Sequence, residues 1–343
     1  QSPRAYRIED LGELGGGFAR ARAINGWGQI VGESLLPVPG SIEHGFVWQS
    51  GGIADLGTLG GARSRALAVN AQGMIGGWSQ NAANQTKPVL WIAGAIQELS
   101  TLGGPHGTVW GLNDLGVAVG NAYVTASVYH ASRWQTGTVV DLGTLGGSYS
   151  VAYDINKAGL VVGGADDLSA VQQACLWTLY GPVNLGGLSG GSWSTARAIN
   201  DQGDIILWGR SAGVTDNHAA FWDGEPASPV IDLGTFGGDE SWAYGLNNLG
   251  DVVGWAEFEL GNYHAFVWEG DAMTDLGTLG GLFSSAYDIS DSGVIVGFAH
   301  DALNRTHAVR WVPVPEPSAF SGVMALLAAF AAFVPARRQR LAC

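Results

Sequence analysis

The chain has 343 residues, with 54 Gly, 14 Trp and a charged fraction of only 13%. Gly near one residue in six excludes a helical bundle, because each interior Gly costs a helix about 1 kcal/mol relative to Ala, and 46% apolar residues is the reverse of a disordered composition. A net charge of −14 with two lysines, Lys87 and Lys157, excludes a phosphate-tracking surface, so nucleic acid is not an expected partner.

In chain order, the first predicted strand, Tyr6-Arg-Ile-Glu-Asp10, runs into Leu-Gly, and a motif close to D-L-G-T-L-G-G starts at residues 10, 55, 98, 141, 184, 232 and 275. The spacings of 45, 43, 43, 43, 48 and 43 residues fit four short strands with turns. In the copy from Asp55 to Glu98 the elements are Asp55-Leu-Gly-Thr-Leu-Gly-Gly, Ala66 to Asn70, Gln72-Gly73, Met74 to Ser79, and Pro88 to Trp91. Asn25/Gly28, Asn70/Gly73, Asn113/Gly116, Asn156/Gly159, Asn200/Gly203 and Asn247/Gly250, with Ser290/Gly293 as the variant, read as hairpin turns. The Asn or Ser side chain starts the turn and a left-handed Gly finishes it. Trp48, Trp91, Trp134, Trp177, Trp222, Trp268 and Trp311 recur once per copy and are expected in the core.

The last copy has its second, third and fourth segments (Phe283 to Ile289, Val294 to Ala299, His307 to Trp311) but no following D-L-G strand, and Tyr6 to Asp10 is spare. The sequence therefore predicts an all-β, seven-bladed β-propeller of four-stranded blades over residues 4–312, closed by the N-terminal strand completing the last blade.

The H-A-F-x-W segments, such as His264-Ala-Phe-Val-Trp268, joined to D-L-G-T-L-G-G, resemble the extracellular repeats called the HAF family. Residues 313–343 are a separate tail: Pro315-Glu316-Pro317, an apolar stretch from Ala319 to Val334, then Arg337, Arg338 and Arg340. This order resembles a PEP-CTERM sorting signal. The resemblance implies a Gram-negative bacterium, recognition by an exosortase, and export to the cell surface or an exopolysaccharide matrix. Sixteen residues at 1.5 Å each reach about 24 Å, enough for a transient membrane contact with the arginines on the cytoplasmic side. The opening Gln1-Ser2-Pro3 fits removal of a secretion signal, and Cys175 and Cys343 are too few for a disulfide scaffold.

Repeated positions are committed to holding the blades, so a site is expected on the face carrying the variable loops, such as Asn121 to Tyr129 and His300 to Thr306. Seven residues before each turn Asn or Ser stand Phe18, Arg63, His106, Tyr149, Trp193, Glu240 and Phe283; five before stand Arg20, Arg65 and Trp242 among smaller residues. Aromatic faces beside hydrogen-bonding groups suit a sugar or another protein, so these ten are the candidate ligand-binding residues. Were the chain an enzyme acting on a polymer, His106, Glu240, Arg63 and Tyr149 would be its acid/base or charge-stabilising groups. His44, His130, His218, His264 and His307 share one repeat position and read as structural, and the D-L-G Asp reads as an acceptor for turn N–H groups. Neither a metal nor a cofactor is expected, and self-association through the loops is the third functional class. The leading expectation is a surface binding module for exopolysaccharide or another surface protein, without catalysis.

Overall fold

The computed structural model describes residues 4–315 apart from Ser189, Ala212, Val214, Pro226, Ala227 and Leu260. Every regular element among them is a strand. The short β1 (Tyr6–Asp10) is followed by a four-stranded antiparallel sheet of β2 (Ala19–Ile24), β3 (Ile30–Leu35), β4 (Glu43–Gln49) and β5 (Gly52–Asp55). The second sheet is β6 (Gly60–Val69), β7 (Ile75–Asn81), β8 (Thr86–Ile92) and β9 (Ala95–Glu98). The third is β10 (Gly107–Leu112), β11 (Ala118–Tyr123), β12 (Tyr129–Gln135) and β13 (Thr138–Gly143). The fourth is β14 (Gly146–Ile155), β15 (Val161–Asp167), β16 (Gln172–Thr178) and β17 (Gly181–Gly186). The fifth is β18 (Ser194–Ile199), β19 (Ile205–Gly209), β20 (His218–Trp222) and β21 (Ile231–Asp232). The remaining strands are β22 (Gly237–Leu246), β23 (Val252–Phe258), β24 (Tyr263–Glu269), β25 (Ala272–Asp275), β26 (Gly280–Ile289), β27 (Ile295–Asp301) and β28 (Thr306–Pro313).

These last strands depart from the expected row of equal sheets. They form one eight-stranded sheet with β1, ordered β1-β28-β27-β26-β24-β23-β22, with β25 on β24. The joint between β24 and β26 is a single parallel pair, Tyr263 with Phe283, whereas the other pairings in the sheet are antiparallel. The described chain is thus a β-propeller with five separate four-stranded blades and an eight-stranded sheet. At its edge β1 pairs with β28 from Tyr6/Pro313 to Asp10/Val309.

The core lies between neighbouring sheets, as propeller packing requires, because each sheet must cover both faces. Val117, Val119 and Ala131 of the third sheet, for example, meet Ala152, Ile155, Val161, Cys175 and Trp177 of the fourth. A comparable cluster joins Leu11, Ala21, Ile30 and Trp48 to Val296 of β27 and Ala308 of β28. Five of the seven repeated Trp are buried, Trp91 and Trp311 being 1% and 0% exposed, whereas Trp222 and Trp268 are partly buried against their clusters. The Trp91 and Trp311 indole N–H groups donate to the Leu56 and Leu276 carbonyls in the preceding D-L-G segment, so these two Trp also link adjacent repeats.

Turn chemistry follows the sequence. Asn70 Oδ1 accepts from the N–H of Gln72 and Met74, and Gly73 adopts φ +76°, a region that L side chains avoid. The D-L-G carboxylate caps its own turn, as in Asp55 Oδ1 with Gly57 N–H at 2.7 Å. It also pairs with the repeated His eleven residues earlier: His44 Nδ1 lies 2.9 Å from Asp55. At the sheet edge the same contact joins His307 to Asp10 at 2.8 Å, across 297 residues of sequence.

Candidate functional site

Every innermost strand carries a β-bulge three residues before its turn Asn or Ser, seen as register breaks such as Val109/Gly111 and Ala152/Asp154. A bulge re-aims one side chain, and these residues, including Arg22, Trp110, Tyr153, Arg197, Tyr244 and Tyr287, line a cavity of about 160 Å³ in the channel. The Arg197 guanidinium carbon lies 4.4 Å from the Tyr153 ring centroid and 5.7 Å from both Trp110 and Tyr244, so one side chain from the fifth sheet reaches rings from the third, fourth and last. Arg22 lies 4.3 Å from Tyr287 and donates through Nε to both oxygens of Glu33, at 3.0 and 2.9 Å. Burial, the largest single influence, works against the Arg22 charge, yet the Glu33 carboxylate together with the Tyr287 and Tyr244 side chains raises the guanidinium's pKa. Sequence reasoning passed over this column. Its signal was an aromatic and basic mixture inside an otherwise apolar strand.

The ten candidates named from the sequence fall into groups. Trp193, Trp242 and Phe283 belong to one run of touching rings, Trp193–Trp208–Trp242–Trp255–Tyr263–Phe283–His300, with centroid separations from 3.9 to 6.0 Å. Phe18 and Arg20 extend it, since Arg20 sits 5.0 Å from the Phe18 ring and 4.6 Å from Phe298, itself beside His300. Glu240 is tied in by the Trp242 indole N–H at 3.4 Å. Arg65 is occupied elsewhere, donating through Nε to Glu43 at 2.9 Å, and Arg63 is exposed. His106 and Tyr149 share a second run, His106–Tyr123–Tyr129–Tyr149, at 5.3, 5.4 and 5.0 Å. His106 and Glu240 belong to these different runs, so the supposed catalytic set is divided. Pro315 is exposed at the end of the described chain. Glu316, Pro317, Arg337, Arg338 and Arg340, with the apolar stretch, lie outside the described residues.

The His106 run opens onto a cavity of about 490 Å³ lined by Thr86, His106, Thr108, Trp110, Asn121, Tyr123, Tyr129 and Tyr153, among others. Its polar groups are oriented. His106 Nδ1 accepts the Thr86 backbone N–H at 3.1 Å, so in the neutral ring Nε2 carries the proton and is a donor. Asn121 Oδ1 accepts the Trp110 indole N–H at 2.9 Å, which turns the side-chain amide N–H₂ toward other partners. Burial raises the Tyr129 pKa, keeping its hydroxyl a donor. Four aromatic rings and three directed donors therefore surround one space of ligand size. Among the described residues, no group of three or more His, Cys, Asp or Glu side chains is arranged to hold a metal ion.

The opposite face carries a second depression, about 400 Å³, lined from all seven hairpin turns. There the turns hold one another: Asn25 Nδ2 donates to the Asn70 carbonyl, Asn70 to Asn113, Asn113 to Asn156, Asn156 to Asn200, Asn200 to Asn247, and Asn247 to Ser290. Side chains one residue further on add links such as Lys157 N–H to Asp201 and Asn248 N–H to Asp291. The polar lining is thereby engaged in holding the turns together.

No protein-family model matches the chain, and no curated protein does. Among solved structures it is similar to TolB from Acinetobacter baumannii, with 14% identity over 76% of this chain and a TM-score of 0.51, spanning about three fifths (62%) of TolB. It is also similar to a Trypanosoma rangeli sialidase in complex with 2,3-difluorosialic acid (11% identity, 92% of this chain, 56% of that one, TM-score 0.41). A third is the Aleuria aurantia lectin in complex with Fucα1-6GlcNAc (10% identity, 74% of this chain, 96% of that one, TM-score 0.35). At such identities a likeness speaks to fold, and the one to TolB identifies this chain as a β-propeller.

Proposed function

We propose that this chain is a glycan-binding β-propeller, with its site in the cavity around His106, Trp110, Asn121, Tyr123 and Tyr129. The observation that carries the reading is the combination in that cavity: ring faces for the apolar side of a pyranose, and donors from His106 Nε2, Asn121 and Tyr129 for its hydroxyl oxygens. The frame is seven blades sealed by β1. Seven Asn/Ser turns, the single pair joining β24 to β26, the β1/β28 pairing and the core shared by β2–β4 with β27 and β28 support this count. Residues 313–343 act as the PEP-CTERM-type sorting signal, delivering the propeller to a Gram-negative cell surface where polysaccharide is the natural ligand. The tail's motif order supports this part.

The test is binding of the purified chain to a panel of polysaccharides and oligosaccharides, with product analysis alongside. The expected result is saturable binding, no new product, and affinity at least tenfold weaker in Tyr123→Ala and Asn121→Ala, the equivalent of about 1.4 kcal/mol. Turnover that disappears in His106→Ala would replace the binding module by a hydrolase or lyase.

A further inference from the structure

We propose that Arg20, Ser285 and His300 form a carboxylate subsite between β2 and β26–β27, which takes the acid group of an acidic sugar. This deepens the glycan-binding reading and rests on it for the word sugar; the carboxylate chemistry stands on its own observations.

The first observation is what the repeats do at the same place. The residue before the repeated His position contacts the entrance of the next inner strand. Glu43 accepts from Arg65, the Thr86 N–H donates to His106, Gln172 Nε2 donates to Thr195 Oγ1 at 2.8 Å, and Asn217 Nδ2 reaches Glu240 at 3.4 Å. At the junction of β28 with β2 that residue is Thr306, and its hydroxyl contacts His300 Nε2 at 3.1 Å instead. Arg20, which holds the repeat position of Arg65, has no hydrogen-bonded or ion-paired acceptor among the described residues. Glu33, its cross-strand neighbour, is 1% exposed and engaged by Arg22.

The second observation is a local group of unpartnered atoms. Arg20 Nε, Ser285 Oγ and His300 Nδ1 are each buried without a hydrogen-bond partner among the described residues, and Ser285 is only 1% exposed. They belong together. Ser285 is the cross-strand partner of Phe298, whose ring lies 5.6 Å from that of His300 and 4.6 Å from the Arg20 guanidinium carbon. Buried polar atoms in native proteins are almost always satisfied, so three in one place describe the partner they lack.

Its chemistry follows from the donors. The Arg Nε–H can only donate, the Ser hydroxyl can donate, and neutral His donates from one ring nitrogen. Burial, then the nearby Arg20 charge, lowers the His300 pKa, which keeps that ring neutral. A flat acceptor with two oxygens and one negative charge suits a guanidinium beside a hydroxyl, and this fold already shows the pairing one repeat on, where Glu43 fills the role for Arg65. The Phe18, Phe283 and Phe298 rings supply apolar faces for the body that carries the acid group.

The experiment follows the Arg20 Nε–H signal by ¹H–¹⁵N NMR while the full chain is titrated with glucuronate, glucose, acetate and inorganic phosphate. Glucuronate and acetate are expected to move the signal, and glucose to leave it in place. Arg20→Gln and Ser285→Ala are each expected to weaken glucuronate binding at least tenfold without changing glucose binding at the His106 cavity; Ser285→Ala carries the test if Arg20→Gln unfolds. An Arg20 signal that stays put at high glucuronate overturns the subsite even if glycans bind around His106. An equal response to phosphate overturns the carboxylate assignment. If glucuronate and acetate move Arg20 but no sugar binds around His106, the subsite survives and the glycan reading of the His106 cavity falls.

Discussion

The Asp288 carboxylate accepts the backbone N–H of Ile24, 264 residues earlier in the chain, through Oδ2 at 2.8 Å, and that of Ile289 through Oδ1 at 2.9 Å. Asp154 does the same for Ile199 and Ile155, so two inner strands are fastened to their neighbours by a buried acid. Burial pushes the Asp288 pKa from its ordinary 3.8 up to about 7, against the pull of the two N–H donors.

That shift has a sign. Between about pH 4 and 7 the folded state holds a proton that the unfolded chain has released, so the Asp288 contribution to stability is largest at acid pH and declines as pH rises through 7. Asp288→Asn removes the titration. The melting temperature of the native chain relative to this variant is expected to fall from pH 4.5 to pH 7.5, as thermal unfolding across the range will show; a constant difference would contradict it. Asp288→Ala leaves the Ile24 N–H unsatisfied and should cost about 1–3 kcal/mol.

The seventh turn offers a gain. Six turn asparagines donate Nδ2–H to the next turn's carbonyl, but Ser290 has no amide to offer the Asn25 carbonyl. Ser290→Asn supplies one, and denaturant midpoints are expected to rise by the equivalent of about 0.5–1.5 kcal/mol. Asn113→Ala removes the Nδ2–H bond to the Asn156 carbonyl and the two bonds that Oδ1 accepts from the Leu115 and Val117 N–H groups, and should lower stability by about 2 kcal/mol.

His218 and Asp232 carry a second pH-dependent contact. The hydrogen bond that His218 Nδ1–H donates to Asp232 raises the His218 pKa, overcoming burial, so the pair's stabilisation is complete below about pH 6.5 and is lost as pH rises through the folded value. Both side chains are partly exposed, 28% and 41%, which limits the pair to about 1 kcal/mol. In Asp232→Asn, the His218 ring titration followed by NMR should move to lower pH.

Gly120 tests the packing beneath the His106 cavity. A Cβ built there would lie 1.9 Å from the Thr108 carbonyl oxygen, at backbone that cannot yield like a flexible side chain. Gly120→Ala is expected to lose about 1–3 kcal/mol and, because Thr108 and Asn121 line the cavity, to weaken glycan binding more than Gly137→Ala on an exposed turn.

Much of this architecture was legible in the sequence because it rests on local chemistry repeated seven times. Asn70, Gly73 and Trp91 announce turn and core without any knowledge of neighbours. The rim residues His106, Trp193 and Phe283 were found by counting back from the turn Asn, which works because side chains alternate along a strand. The bulge interrupts that alternation, so Arg22, Tyr153 and Arg197, which fill the channel, were missed. The His44–Asp55 contact was missed for another reason: each residue already had a sufficient local explanation, and only strand register shows that the eleven residues between them fold back on themselves. The depression ringed by the Asn turns was overlooked because those turns had been assigned wholly to hairpin geometry.

The pairing of β1 with β28 also sets an order of events in time. The partner that β1 needs is made some 300 residues later, so during synthesis its N–H and C=O groups stay unpaired while each intervening sheet forms beside the one before it. Contacts of such long sequence separation are slow to form, and a strand edge left open meanwhile invites pairing with other chains. The charged pattern of β1, Tyr-Arg-Ile-Glu-Asp, is what a waiting edge requires: its three charges keep it solvated until Arg310 and His307 arrive to meet Glu9 and Asp10.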